Sequence, residues 1–313
     1  MLRTFQHGDE YPFITAWNAS LPADGMSEQI FMQRILLDPN FDPQGVFVIE
    51  EEGQIAGGLI ALIRRLPLAG SDLEPDNGWI TAFFVHPQYR RRGFGHRLLR
   101  AADDYFQRLH RRTVSFASYA PNYFVPGVDR NQYPEGHKLL EDFGYRPRYQ
   151  AVAMDKNLVG FQVPPDVRKL EDIRQDEGYV IEQLTLPFVA DTLAFIDHEF
   201  DPDWTRAIRY ALTTGVSLSQ ILIARHNTQV TGFCLYGGYG SVGERFGPFG
   251  VAQSARGTGL GKILLYRCLE QMQRQGLHNA WFLWTGENEP AGQLYLRAGF
   301  SITRRFDVMA KTL

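Results

Sequence analysis

The sequence predicts an α/β chain in which one domain plan occurs twice in tandem. Three observations predict it. Apolar strand-like runs alternate with amphipathic helical stretches along all 313 residues. The same order of elements runs through both halves. Each half also carries Arg-x-x-Gly-x-Gly after a strand ending in valine and before an amphipathic helix. The motif falls at Arg90, Gly93 and Gly95, and again at Arg256, Gly259 and Gly261.

The first half opens on a helical region over Tyr11–Leu37. Strands follow over Gly45–Glu51 and Ile55–Arg64, then a loop over Leu66–Asn77 rich in Pro, Gly, Ser and Asp. Strand Trp79–Val85 leads into the first motif. The next helix carries Leu98, Leu99, Ala102, Tyr105 and Phe106 on one face. Strand Thr113–Tyr119, helix Glu135–Phe143 with Gly144 as its C-cap, and strand Tyr149–Lys156 complete the half. The second half repeats the course. Helical pieces over Leu186–Thr213 precede strands Ser219–Arg225 and Gln229–Tyr239. Strand Arg245–Val251, the second motif, an amphipathic helix, strand Asn279–Thr285, helix Ala291–Arg297 and strand Ile302–Ala310 follow. The expected division is 1–157, a linker over 158–178, and 179–313. The linker is read from Pro164-Pro165 and the charge-dense run after them.

Composition narrows the function classes. Hydrophobic content of 44% with 21% charge fits a soluble globular chain. A net charge of -3 supplies no basic field for nucleic acid, and the Arg90-Arg91-Arg92 run lacks aromatic interleaving. No apolar run approaches the roughly 20 residues that span a bilayer, and the N-terminus has no apolar signal core. The two cysteines, Cys234 and Cys268, suit a reducing cytoplasm. No His/Cys/Asp spacing suggests a metal.

The repeated motif describes an anion cradle. Its glycines let the backbone turn and approach a ligand without a Cβ in the way. The N–H groups at the following helix start then face an anion, aided by the helix dipole. A pyrophosphate fits. Gly261-Lys262 hints at a Walker loop, but Ile263 stands where that loop needs Ser or Thr. A dinucleotide fingerprint would lie in the first βα unit with different spacing.

On these loops, and on Asn288-Glu289-Pro290-Ala291-Gly292-Gln293-Leu294-Tyr295 with Gly299-Phe300, the chain resembles the GNAT superfamily of N-acetyltransferases. Its tandem layout is similar to that of mycothiol synthase. The resemblance implies, in each domain, a mixed, mostly antiparallel sheet flanked by helices. It also implies that the fourth and fifth strands splay around the pantetheine arm of acetyl-CoA. Val85 and Val251 would offer backbone to that arm. Arg90, Arg91, Gly93 and Gly95, and Arg256, Gly257, Gly259, Gly261 and Lys262, would hold the pyrophosphate. Asn288 would face the pantetheine or the thiol end.

The implied reaction is attack of a small-molecule primary amine on the thioester. An ammonium of pKa about 10.4 must first lose a proton. The resemblance makes Tyr295 the general acid for the leaving thiolate. Glu244, just before the fourth strand, is the candidate base, with Glu287 as an alternative. Equal counting in the first half meets Leu140 in place of Tyr295 and Tyr133 in place of Asn288. Transfer is therefore expected in the second domain. His198–Trp204 in that domain, and Asn122-Tyr123-Phe124 in the first, are candidate acceptor-side segments. An acyl-CoA sensor with little turnover and an enzyme acting on protein amines stay open. So do a monomer with an internal pseudo-dimer and a homodimer.

Overall fold

The computed structural model describes all residues except Ala69, Pro121 and Ser241. Ala69 falls in the expected loop and lies outside the described residues. The chain divides into two compact units. Unit 1 comprises Met1–Pro67, Ser71–Ala151 and Arg304–Leu313; unit 2 comprises Leu68–Gly70 and Val152–Thr303.

In chain order, unit 1 takes in strand β1 (Leu2–Thr4), helices α1 (Glu10–Ser20) and α2 (Glu28–Phe31), and strands β2 (Val46–Glu51), β3 (Gln54–Leu62) and β4 (Asn77–Val85). Helix α3 (Phe94–Arg108), strand β5 (Thr113–Phe116), helix α4 (Pro134–Asp142) and the start of strand β6 (Arg146–Asn157) follow. Unit 2 takes in the rest of β6, helix α5 (Pro165–Asp176), strand β7 (Tyr179–Gln183), helices α6 (Val189–Glu199) and α7 (Pro202–Thr213), and strands β8 (Ile221–His226), β9 (Gln229–Tyr236) and β10 (Phe246–Val251). Helix α8 (Leu260–Arg274), strand β11 (Asn279–Thr285), helix α9 (Pro290–Arg297) and strand β12 (Ser301–Thr312) end the chain.

Both sheets are mostly antiparallel, as the resemblance implied. In unit 1 the order is β1-β2-β3-β4-β5-β12, and only β4 and β5 pair in parallel. In unit 2, β10-β9-β8-β7 form a run of antiparallel neighbours and β11 pairs with β6. The closing strands do not follow the contiguous halves. Residues Thr113–Phe116 of β5 pair with Met309–Thr312 from the end of the chain. Asn279–Thr285 of β11 pair with Val152–Asn157. Each unit is therefore completed by a strand from the other half of the sequence.

Amphipathic periodicity explains the two long helices. Leu98, Leu99, Ala102, Tyr105 and Phe106 of α3 are buried in the core of unit 1. Leu260, Ile263, Leu264, Cys268 and Met272 of α8 do the same in unit 2. Two expectations are corrected. The helical region over Tyr11–Leu37 breaks after Ser20. Pro22 and Gly25 interrupt it, and the broken turn is clasped by Trp17 Nε1 donating to the Asp24 carbonyl (2.7 Å) and Asn18 bonding Met26. The segment 158–178 is not bare linker. Pro165 starts a helix, as proline favours at a first turn, and Val167 is fully buried in the unit 2 core.

Met309 is fully buried in unit 1 and faces Phe116 across the ladder. Met309→Ala should cost about 2–5 kcal/mol of stability. Hydrogen exchange should show the lost protection in Thr113–Phe116. Unchanged exchange there would contradict the placement of the last strand.

Candidate functional site

The site in unit 1 begins where two strands part. β4 and β5 run in parallel from Asn77–Thr113 to Ile80–Phe116. The Ile80 carbonyl still accepts the Ala117 N–H at 2.8 Å, and then the chain turns away at Ala117, φ 64°. On its other side β4 stays paired to β3, with one extra residue: Ala61 faces Ile80 and Ile60 faces Ala82, so Thr81 is a bulge. At the far end the His86 N–H donates to the Ala56 carbonyl at 2.9 Å. Strand alternation from that bond directs the backbone groups of Phe84 toward β3. Those of Phe83 and Val85 face the edge that β5 has left. A free edge of this kind accepts an extended, amide-bearing chain.

The first motif lies at the end of that edge. Gly93 takes the left-handed conformation, φ 78°, as N-cap of α3, and the direction a Cβ would take is open space. Arg90 is a brace. Its Nε donates to the Val85 carbonyl and its Nη2 to the Ser20 carbonyl, both at 3.3 Å, tying the strand end to α1. Arg91 is exposed, with φ 63°. Like Arg90, it lines the cavity.

A cavity of about 840 Å³ extends from this loop along Thr81–Val85. Its polar end is a network that local sequence does not announce. Arg304, near the end of the chain, donates from Nη1 to Asp24 Oδ1 (2.6 Å) and from Nε to Asp129 Oδ2 (2.8 Å). The Tyr133 hydroxyl donates to Asp24 Oδ2 at 2.7 Å. Burial and this hydrogen bond push the Tyr133 phenol above its ordinary range. Burial alone would lower the Arg304 guanidinium, but the two carboxylates outweigh it and hold the charge firmly. Asp129 also accepts the N–H groups of Asn131 and Gln132, which shape the turn into α4. Trp17 and Phe124 line the wall, ring centroids 5.0 Å apart. Thr81 is 3% exposed, lines the same cavity, and its Oγ1 has no hydrogen-bond partner.

Unit 2 repeats the backbone arrangement. An extra residue lies between Phe246 and Phe249 of β10, and the Ala252 N–H donates to the Thr231 carbonyl at 2.8 Å. The same alternation turns Phe249 and Val251 to the open edge. β10 meets β11 only at its start, where the Trp281 N–H donates to the Glu244 carbonyl at 3.0 Å. Glu244 thus sits at the mouth of the splayed strands, half-buried. Tyr295 stands between those strands, its ring 4.5 Å from Phe282 and 6.1 Å from Phe249. Burial pushes its phenol well up. Phe200 and Trp204 stack 4.7 Å apart, and a Cβ on Gly250 would meet Phe200 at 2.4 Å. Asn288 is exposed just before α9.

The second motif keeps the first one's backbone. Gly257 and Gly259 have φ 80° and 85°, and Gly259 caps α8. Arg256 is exposed, and Gly261 has ordinary packing room. Two surroundings differ. A Cβ on Gly259 would meet Leu170 of α5 at 2.6 Å, and Lys262 Nζ donates to Asp166 of α5 at 2.6 Å. Among the described residues no group of three or more His, Cys, Asp or Glu could hold a metal, and no helix is long and apolar enough to cross a membrane.

The family model described as the acetyltransferase (GNAT) family matches residues 12–125 and 187–300. The chain is 26% identical over 255 residues to mycothiol acetyltransferase of Pseudarthrobacter chlorophenolicus, covering 75% of this chain and 73% of that protein. It is similar in fold to the GCN5-related glucosamine N-acetyltransferase region of a fungal multi-domain GH3 β-N-acetylglucosaminidase. The TM-score is 0.81 at 17% identity, over 99% of this chain and 38% of that one, so the chain spans well under half of that protein. A GCN5-related N-acetyltransferase from Sphaerobacter thermophilus gives a TM-score of 0.72 at 19% identity, over 100% and 95%.

The unpartnered hydroxyl of Thr81 has a stability consequence. Thr81→Val keeps the shape and removes a buried polar group. It should leave the free energy of unfolding unchanged or raise it by up to about 1–3 kcal/mol in a urea titration. A loss above about 1 kcal/mol would mean that the hydroxyl is satisfied in the folded protein.

Proposed function

The chain belongs to the acetyltransferase (GNAT) family, and from that premise we propose that it moves an acetyl group from acetyl-CoA to the primary amine of a small molecule, using the cavity of unit 1. The observation that carries this reading is the continuity of that cavity. It runs from a helix N-terminus suited to a pyrophosphate, along a free strand edge, to a wall of carboxylate and phenol groups.

Each part has a physical task. The first-turn N–H groups of α3 and the Arg91 guanidinium hold the phosphates. The Phe83 and Val85 backbone groups accept the pantetheine amides and put an N–H donor where negative charge develops on the thioester oxygen. The amine nitrogen forms the new C–N bond and gives up a proton; the C–S bond breaks and the sulfur gains one. Asp24 and Tyr133, already joined by a hydrogen bond, supply a proton acceptor and a proton donor on one wall. Arg304 and Asp129 hold Asp24 in place. A small-molecule acceptor fits a cleft of this size, and the name of the mycothiol acetyltransferase relative supports the same class.

A second reading places the chemistry in unit 2. Tyr295 would be its acid and Glu244 its base, with Val251, Arg256, Gly257, Gly259, Gly261, Lys262 and Asn288 around the donor. It is favoured by the position of Tyr295 between β10 and β11.

Thiol release from acetyl-CoA with a panel of primary amines decides between the two. Under the proposal, Asp24→Asn and Tyr133→Phe each lower amine-dependent release by about 10²-fold or more, and Tyr295→Phe retains it. The reverse pattern assigns transfer to unit 2. Release with a lysine peptide alone would make the acceptor a protein. Silence with every amine and peptide, with acetyl-CoA still bound, would leave a sensor.

A further inference from the structure

The two motif loops share a backbone but not an environment. In unit 1 the space over Gly93 is open and the side chain of His96, at the place equivalent to Lys262, is exposed. In unit 2 the equivalent space over Gly259 holds Leu170, and Lys262 is taken by Asp166. Both covering residues come from α5, and they lie four positions apart, on one face of that helix.

We propose that α5 is a built-in plug that keeps the second coenzyme A cradle closed. The Asp166 carboxylate occupies the lysine that would otherwise meet a phosphate oxygen. Leu170 fills the glycine-made hollow that would otherwise admit the ligand. The proposal rests on the reading of both loops as coenzyme A cradles. It makes the second cradle a latent site that the ligand reaches only when α5 is displaced.

The fastening of α5 fits this role. Two of its other charges are paired with α8: Arg168 with Glu270, and Glu171 with Arg267 at 3.4 Å. Val167 anchors the first turn in the core of unit 2. The contacts laid over the loop itself are one exposed ion pair, Asp166 with Lys262, and one leucine; an exposed pair is individually weak, so this end of the plug can be loosened without unfolding the core beneath it. The preceding turn is fixed by Pro164 and Pro165, which leaves the first turn of α5 directed at the loop with little conformational freedom.

The test is calorimetric titration of coenzyme A itself into the full-length protein, reading stoichiometry. Wild type should bind one equivalent, and Arg90→Ala/Arg91→Ala should abolish it. Asp166→Asn/Leu170→Ala should raise the stoichiometry to two, and adding Arg256→Ala to that variant should return it to one. Should the double variant fail to fold, Asp166→Lys, at an exposed position facing Lys262, repels where the wild type attracts and should also raise the stoichiometry. Two equivalents in wild type, one of them lost with Arg256→Ala, would overturn the plug and leave the donor reading intact. One equivalent in every folded α5 variant would overturn it as well. No binding in wild type or variants would instead overturn the donor reading on which the plug rests.

Discussion

The first site depends on an interruption: β5 stops pairing with β4 at Phe116. Unpaired backbone groups inside a protein are costly unless something satisfies them. An abandoned strand edge that opens into a cavity is therefore a place for a ligand with amides of its own. The bulge at Thr81 then decides which groups are presented. Without the extra residue the alternation would slip by one, and Phe83 and Val85 would turn their N–H and carbonyl groups to β3 instead. The open edge is thus produced by two backbone irregularities, one on each side of the same strand, rather than by any special side chain.

The exchange of closing strands brings a cation to the wall of that cavity. Arg304 enters unit 1 only because the last residues of the chain complete its sheet. There it joins Asp24, from the turn after α1, to Asp129, from the turn before α4. A half-buried arginine between two carboxylates is worth little as a source of net stability, since desolvation offsets most of the attraction. Its effect is geometric. It ties the two loops together and, through Asp24, fixes the Tyr133 phenol. A protein cut after residue 157 would lose both the strand that covers β5 and the cation that orders the cavity wall.

Much of this was legible in the sequence. Strand and helix periodicity located most elements, because burying one face imposes a period of about 2 or 3.6 on the residues. The glycine motifs were legible because their conformation excludes most other residues; Gly93 and Gly259 both lie at positive φ. What periodicity could not convey was which strand closes which sheet. Val152–Asn157 and Met309–Thr312 look alike as strands, and nothing local says that they trade places. Asp24, Asp129 and Arg304 were missed for that reason: the three meet only after the exchange. Tyr133 was visible in the sequence, but only as a gap in a pattern read from the other half. α5 was missed because a run dense in charge hides its apolar stripe of Val167 and Leu170.

The two cradles show what a motif determines and what it leaves to its surroundings. Arg-x-x-Gly-x-Gly sets a backbone, and both copies adopt it. Access is set elsewhere, by residues with no counterpart in the motif. At Gly93 the absent side chain leaves an opening; at Gly259 the same absence makes room for Leu170. The freedom of glycine is neutral between these outcomes, since a hollow shaped for a phosphate also accepts a leucine and a nearby carboxylate. Duplicated sites can therefore diverge in function with their signature residues intact. The place to look for that divergence is the segment that lies over the loop.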